Sequence, residues 1–261
     1  MNLTRPLALA ATALTFLSLS GQLAAREYYE LRTYRLKSEA KAEAFDETFG
    51  PAIVAAMEAA GTGPVGIFKP VEAKDEDKGE ALRYVLVPHK SIEAWAGLSD
   101  RLRENREVWE PALDFLMAEK SDPNYTRIDS MLLLAFEGMP ELKLPAKPTD
   151  KDGRHFEFRT YESHSIVRGM LKVAMFNEGE IDIFNKVGLN AVFYGEAKVA
   201  KDLPQLTYML VYDNEEARKK AWKDFLAHPD WLTLKADERF KDTVSKIRSR
   251  FVKATEYSQI Q

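Results

Sequence analysis

The pattern of apolar and polar side chains after residue 26 predicts a β-strand followed by a helix. Over 27–36 the side chains alternate in character, as they do in a strand. One face carries Tyr29, Leu31 and Thr33, and the other carries Glu30, Arg32 and Tyr34. Apolar residues then recur at helical spacing from Phe45 to Ala60, after a capping residue, Ser38, and before Gly61, which can adopt the left-handed conformation that ends many helices.

The rest of this half adds three strands and a second helix. The strands are predicted over 65–71, 81–87 and 127–136, and the helix begins at Ser91. The resulting order, β-α-β-β-α-β, is that of a ferredoxin-like unit.

The same pattern returns in the second half of the chain. The segment 29–34 matches 156–161 at an offset of 127, and Gly61 matches Gly188 at the same offset. The segment 82–87 resembles 206–211 at an offset of 124. Strands are predicted over 154–161, 190–199, 205–212 and 244–255, with helices over 163–187 and after the capping residue Asn214. The chain is therefore predicted to contain two related units.

The repeat also predicts the domain boundaries and the fold class. We expect a leader over 1–25, a first unit over 26–136, a proline-containing linker over 137–153 and a second unit over 154–261. The fold class is α+β, with two ferredoxin-like units that each leave one sheet face uncovered by helices. These faces can pack on each other in a dimeric α/β-barrel-like arrangement, either within one chain or between the halves of two chains in a homodimer.

The N-terminus indicates export. Arg5 precedes an apolar stretch that ends at the small residues Ala24 and Ala25, which is the pattern of a cleaved signal peptide. The mature protein is then periplasmic or secreted, without stable membrane insertion, because the apolar stretch is shorter than the roughly 20 residues of a membrane span. A retained N-terminal anchor is the alternative.

Composition excludes some functions. The chain contains no cysteine, so it has neither a disulfide nor a cysteine nucleophile. Charged residues make up 30% of the chain, with a formal net charge of −4 and both signs interspersed, which does not favour a nucleic-acid partner.

Several motifs resemble the NIPSNAP family. The matching features are the repeated Glu-x-Arg-Thr-Tyr strand, the glycine after each first helix, Ala221-Trp222-x-x-Phe225, and His228-Pro229-Asp230-Trp231. The first half keeps the strand but has Arg106-Glu107-Val108-Trp109 in place of the last motif. The resemblance implies a dimeric α/β-barrel fold. It implies little chemistry, because other families with this fold include haem enzymes and cofactor-independent monooxygenases.

Six polar residues of the repeated strands are the candidate ligand-binding set: Glu30, Arg32, Tyr34, Glu157, Arg159 and Tyr161. If the opposite, apolar faces of these strands meet the helices, the six side chains point into the space between the sheets. They would there either cross-link the sheets or bind an anionic or polar ligand through a guanidinium or a phenol.

The residues themselves predict no metal site and no cofactor. Haem stays open through the resemblance, with His164 and His228 as candidate axial ligands. The chain is therefore expected to be a non-catalytic module that binds a small molecule or a protein. The alternative is a barrel monooxygenase, cofactor-independent or haem-dependent, that acts in the inter-sheet cavity.

Overall fold

The computed structural model describes residues 25–148 and 153–261, and its framework is a set of strands shared equally by the two halves. The strands are β1 (Tyr28–Leu36), β2 (Gly66–Pro70), β3 (Ala81–His89), β4 (Tyr125–Ala135), β5 (His155–Glu162), β6 (Asn190–Val199), β7 (Gln205–Tyr212) and β8 (Lys246–Ala254). The helices are α1 (Glu39–Ala44), α2 (Gly50–Ala59), α3 (Ile92–Ala96), α4 (Leu98–Glu104), α5 (Leu113–Leu116), α6 (Ile166–Met175), α7 (Ile181–Val187), α8 (Glu215–Ala227) and α9 (Pro229–Ala236).

Shorter helical turns link several of these helices. A π-helical turn joins α1 to α2 (Phe45–Phe49), and another joins α6 to α7 (Phe176–Glu180). Turns of 3₁₀-helix occupy Asp75–Asp77, Arg106–Ala112 and Glu238–Phe240. In the first half, the predicted first helix is therefore one continuous helical segment with a widened turn in its middle. In the second half, Gly179 has a non-helical conformation, with φ of 179°, and the segment is kinked between α6 and α7.

Most of the predicted helix ends match the structure, although the first helix of the second half is capped by Ser165 and begins at Ile166 rather than at residue 163. The side chains of Ser38, Ser91 and Asn214 each accept a hydrogen bond from a backbone N–H in the first turn of the helix that follows. Gly61 and Gly188 adopt left-handed conformations, with φ of 66° and 81° respectively.

The strands close into one barrel in the order β1-β3-β2-β8-β5-β7-β6-β4. Each half supplies four neighbouring antiparallel strands in the ferredoxin-like order, so the predicted fold class is confirmed. The halves join at two seams, β2 with β8 and β4 with β6, and both seams form within a single chain.

Closure of the barrel gives three apolar layers. The interior is filled from both halves, for example by Leu31, Phe68, Phe156 and Phe158. An outer layer in each half lies between the sheet and the helices of that half. Each sheet is therefore buried on both faces, which is the condition under which a strand sequence loses its simple alternation of polar and apolar residues.

The strand register corrects one detail of the predicted repeat. Arg32 pairs with Val85, whereas Arg159 pairs with Tyr208, so β3 and β7 correspond at an offset of 123 rather than 124. The structural counterpart of Tyr208 is therefore Val85 and not Tyr84. A shift of one residue changes the face of the sheet on which a side chain lies.

Some predictions fall outside the described residues. Of the predicted leader, only Ala25 belongs to the described residues, and export therefore stays a prediction. The described part of the predicted linker packs on the barrel, where Glu27 N–H donates to the Pro140 carbonyl and Lys143 N–H donates to that of Val192. Among the described residues, no helix is long and apolar enough to span a membrane.

A buried ion pair holds the two halves together at one mouth of the barrel. Arg250 of β8 donates to both carboxylate oxygens of Asp77, over 2.6 and 3.0 Å, although Asp77 belongs to the turn between β2 and β3 of the other half. The Asp77 side chain is only 4% exposed, so the donors of Arg250 replace much of the hydration that its carboxylate has lost.

We expect Arg250→Met to destabilise the fold by about 3 kcal/mol, because it leaves a buried carboxylate without its cation. Urea unfolding measures the change. Arg103→Met is the control, since Arg103 and its partner Asp100 are both largely exposed, and it should cost under about 1 kcal/mol. Equal effects of the two substitutions would contradict a bridging role for Arg250.

Candidate functional site

The six sequence-predicted side chains lie on the outer face of the barrel, under the helices. Tyr34 packs with Phe45 in the outer layer of the first half, and Tyr161 packs with Phe176 in that of the second. The expectation that these strands turn their charged face into the space between the sheets is therefore wrong. The apolar residues of these strands, such as Leu31 and Phe158, fill the interior instead.

In the second half, Glu157 is the centre of a buried hydrogen-bond network. Its carboxylate accepts from Arg159 Nη1 at 2.6 Å and from Ser249 Oγ at 2.5 Å. It also accepts from the Tyr212 hydroxyl at 2.8 Å, which in turn accepts from Trp222 Nε1 at 2.9 Å. The side chain of Glu157 is 1% exposed, and these donors compensate for its lost hydration.

Arg159 extends the network towards the helices. Its Nε donates to the Tyr208 hydroxyl at 2.9 Å, and the hydroxyls of Tyr208 and Tyr161 are 2.8 Å apart. The guanidinium carbon lies 4.6 Å from the centre of the Trp222 ring, within the range of a cation–π contact. Burial lowers the pKa of Arg159, but Tyr208, Tyr161 and Glu157 together raise it above its usual value, so the group stays charged.

A second buried ion pair lies beside Arg159. Lys172 of α6 donates to Glu180 in the π-helical turn at 2.6 Å, and both side chains are at most 5% exposed. The Lys172 ammonium also lies 4.7 Å from the Phe176 ring. Burial raises the pKa of Glu180, although Lys172 and Arg159 act in the opposite direction.

We call these residues the Arg159 cluster; they are Glu157, Arg159, Tyr161, Lys172, Glu180, Tyr208 and Tyr212. Tyr194 packs next to it, with its ring centre 5.5 Å from that of Tyr208. The Tyr194 hydroxyl is buried and has no hydrogen-bond partner among the described residues. Burial raises the pKa of Tyr194, so its hydroxyl remains a neutral donor.

Helix α9 covers the end of the cluster that contains Lys172. None of its residues is fully buried. Trp231 packs on Phe225, with ring centres 4.4 Å apart, and lies 5.8 Å from the Lys172 ammonium. A helix with so little buried surface is among the segments that open at low free energy.

The first half keeps the strand motif in a simpler form. Arg32 makes a two-pronged ion pair with Glu30, with both contacts at 2.8 Å, and Ser130 donates to the same carboxylate. His89 Nε2 lies 3.8 Å from Glu30. Burial raises the pKa of Glu30, but the His89 ring, Arg32 and Ser130 outweigh it and lower this pKa to about 2.

The two halves differ most at three positions of the outer layer. At an offset of 127, Lys172 and Glu180 correspond to the apolar residues Phe45 and Ile53, and Tyr208 corresponds to Val85 by strand register. The first half thus has apolar residues at three positions where the second half has a lysine, a glutamate and a tyrosine.

Sequence reasoning found part of this cluster. It identified Glu157, Arg159 and Tyr161, but it missed Lys172 and Glu180. The signal that could have revealed the pair is the alignment of the halves, in which a lysine and a glutamate stand where the other copy has core residues.

The structure offers little support for a metal or haem. Among the described residues, no group of three or more His, Asp or Glu side chains is placed to hold a metal ion. Of the two candidate haem ligands, His164 is exposed on the surface, and His228 Nδ1 accepts the Asp230 N–H as the cap of α9. Neither histidine belongs to the Arg159 cluster, and the expectation of no cofactor, with haem left open, stays a prediction.

Comparison with known proteins gives a family match for part of the chain and similar folds for most of it. The NIPSNAP family model matches residues 156–259. A putative monooxygenase from Lactobacillus acidophilus NCFM has a similar structure, with a TM-score of 0.57 at 11% identity over 88% of this chain and 94% of its own.

Two further solved structures show the range of similarity. A putative monooxygenase from Fusobacterium nucleatum also has a TM-score of 0.57, at 8% identity over 89% of this chain and 94% of its own. A NIPSNAP family protein of unknown function from Agrobacterium tumefaciens aligns over 44% of this chain and all of its own, with 14% identity and a TM-score of 0.39. No curated protein matches the sequence.

The Lys172–Glu180 pair should be replaceable as a unit but not singly. We expect Lys172→Met to cost about 3 kcal/mol of stability, because Glu180 is left buried without its partner. The double variant Lys172→Met/Glu180→Met should be close to wild type, since the first half folds with apolar residues at these positions. Urea unfolding of both variants tests this, and a double variant as unstable as the sum of the single ones would contradict it.

Proposed function

We propose that the protein binds a small planar molecule that carries an anionic oxygen, and that the binding site is the Arg159 cluster. The molecule is bound and not converted. The premise is that the second half of this chain matches the NIPSNAP family model. The carrying observation is that Lys172, Glu180 and Tyr208 enlarge the charged network of the second half at positions where the first half has apolar residues. Folding alone does not require these three side chains, because the first copy builds the same layer with Phe45, Ile53 and Val85.

Arg159 has donors available for an anionic group. A guanidinium has five N–H groups. Among the described residues, Arg159 uses one for Glu157, one for Tyr208 and one for a long contact of 3.4 Å to Tyr161. Its side chain is 17% exposed, so the remaining donors are accessible from the edge of the layer. A carboxylate or phenolate matches the planar geometry of such donors.

The surroundings favour a flat, aromatic ligand. Trp222 and Trp231 are half-buried at the outer side of the cluster, and both can stack on a ring. The unpartnered Tyr194 hydroxyl supplies one more donor at the inner side. Helix α9, which has no fully buried residue, is the segment that would move to admit the ligand.

We expect Arg159→Met to abolish binding of aromatic anions that the wild-type protein binds. Binding is followed by intrinsic tryptophan fluorescence during titration with 2-naphthoate and 4-nitrophenolate, in which two of the four tryptophans, Trp222 and Trp231, lie at the cluster. Arg159→Lys should weaken binding at least tenfold, because it keeps the charge but loses the planar donors.

The matched control is Arg32→Met, which removes the equivalent guanidinium of the first half. This variant should lose stability, through the loss of the ion pair with Glu30, and keep the wild-type affinity. If neither anion binds the wild-type protein, or if both arginine variants bind it equally well, the proposal is wrong.

The second candidate function is a cofactor-independent monooxygenase. It is favoured by the two putative monooxygenases of similar fold, each of which aligns over most of this chain. In such a reaction a CH2 group of a phenolic substrate becomes a carbonyl, one atom of O2 enters the product and the other leaves in water. Arg159 and the hydroxyls of Tyr161 and Tyr208 would hold the substrate oxyanion, and Glu180 would accept a proton.

Oxygen consumption separates the two candidates. A binding protein should consume no O2 above background with phenols that bind. A monooxygenase should consume one O2 for each carbonyl formed, and Glu180→Gln should lower the rate at least tenfold while binding persists.

A further inference from the structure

Strand β4 of the first half is paired over most of its length on one side only. It pairs with β1 over 125–134, but on its other side it pairs with β6 only over 132–135. Residues 126–130 are all exposed. Within the described parts of the chain, no other strand lies beside the stretch 126–131, which we call the open edge of β4.

The backbone along the open edge is oriented to pair with another strand. The Phe136 N–H donates to the Tyr194 carbonyl on the side of β6. Successive residues of a strand direct their N–H and C=O groups to opposite sides, and the pairing of β1 with β4 runs without a shift from 127 to 134. Ile128 and Ser130 therefore turn these groups away from β1. A second extended chain can pair there by β-strand addition.

The equivalent edge in the second half is covered. By strand register β4 corresponds to β8, at an offset of 119. The ten-residue connection 71–80 lies beside β8, and the Lys74 ammonium donates to the Ser249 carbonyl at 2.6 Å. The matching connection between β6 and β7, 200–204, has only five residues. Among the described residues it makes no hydrogen bond to 126–131, so the open edge of β4 follows from this shorter connection.

The sequence of the open edge is complementary to itself. Two copies can pair antiparallel about a two-fold axis at Ile128, and each makes the same contacts as the other. Arg127 of one copy then lies directly opposite Asp129 of the second copy, and Thr126 lies opposite Ser130. Opposite charges and hydroxyl side chains placed directly across an antiparallel pair are stabilising.

Both charges are available for these contacts. Arg127 is exposed and makes no ion pair among the described residues; its guanidinium donates to the Thr126 carbonyl. The Asp129 side chain is 59% exposed, and its Oδ2 accepts from Arg35 while its Oδ1 remains free for a second donor. Ile128 is 42% exposed and would be covered by its own copy.

Strand β8 has the opposite charge pattern. The residues at the positions of Arg127 and Asp129 are Lys246 and Arg248. The same pairing of two β8 strands would place like charges opposite each other, which is destabilising. Charges of this kind are one of the means by which proteins prevent strand edges from pairing. The self-complementary pattern is therefore specific to β4.

We propose that the open edge of β4 is an interface with a second copy of this chain, in which two complete barrels join through antiparallel pairing of their β4 strands. This dimer differs from one in which halves of two chains form a barrel, because each barrel here is already closed. The interface is small, so the dimer is reversible, and we expect a dissociation constant of about 10 μM or above. The proposal is independent of the function proposed for the Arg159 cluster.

The test is sedimentation velocity of the full chain over concentrations that bracket this value. We expect Arg127→Asp and Asp129→Arg each to raise the dissociation constant at least tenfold, because each places like charges opposite each other at two positions. An equimolar mixture of the two variants should dimerise as strongly as the wild type. In the mixed dimer, the acidic pair of one variant lies opposite the basic pair of the other.

A second variant tests the backbone pairing itself. Ile128→Pro removes an N–H that faces the open edge and not β1, so it should keep the fold and prevent dimerisation. Circular dichroism during heating checks the fold.

The matched control is Asp100→Arg, which reverses an exposed aspartate that also has an arginine partner, Arg103, and should dimerise normally. Arg159→Met should dimerise normally as well, so failure of this proposal and failure of the first can be told apart. A wild-type protein that is monomeric at every concentration, charge variants that dimerise like the wild type, or a mixture that stays monomeric would each overturn the proposal.

Discussion

Each four-stranded sheet of this protein has two apolar faces, but the helices of its half cover only one of them. In the closed barrel, the second face of each sheet is covered by the other sheet. The interior layer, with Leu31 and Phe68 from one half and Phe156 and Phe158 from the other, is formed only when the sheets meet. The seams and the mouth closed by Arg250 and Asp77 both follow from this single requirement.

Since the interior is shared, a change there affects both copies. The outer layers are separate, so one copy can change its outer layer without disturbing the other. The first copy has the apolar residues Phe45 and Ile53 at two positions of its outer layer. The second copy places charges at the same positions and satisfies them internally with Lys172 and Glu180. Both copies bury a Glu–Arg pair on the repeated strand, but only the second adds Lys172 and Glu180. Buried charge is costly unless it is paired, so this added pair points to a role other than stability.

Much of the architecture could be predicted from the sequence, because it rests on local and repeated signals. The caps at Ser38, Ser91 and Asn214 mark helix starts through short-range hydrogen bonds, and the repeated strand reveals the duplication. The direction in which Arg32 and Arg159 point could not be predicted in the same way. Both faces of these strands are buried, so polarity does not distinguish interior from exterior.

The last strand of the fold, β8, pairs with β2 of the first half, and the chain after it continues along the same edge, where Thr255 and Gln259 donate to the carbonyls of Ile67 and Val65. During synthesis the first half leaves the ribosome long before these partners exist. Until then, β2 and β4 are unpaired edges beside an uncovered apolar face. The nascent half-protein is therefore the stage most prone to pair with other chains and the one that most needs a chaperone.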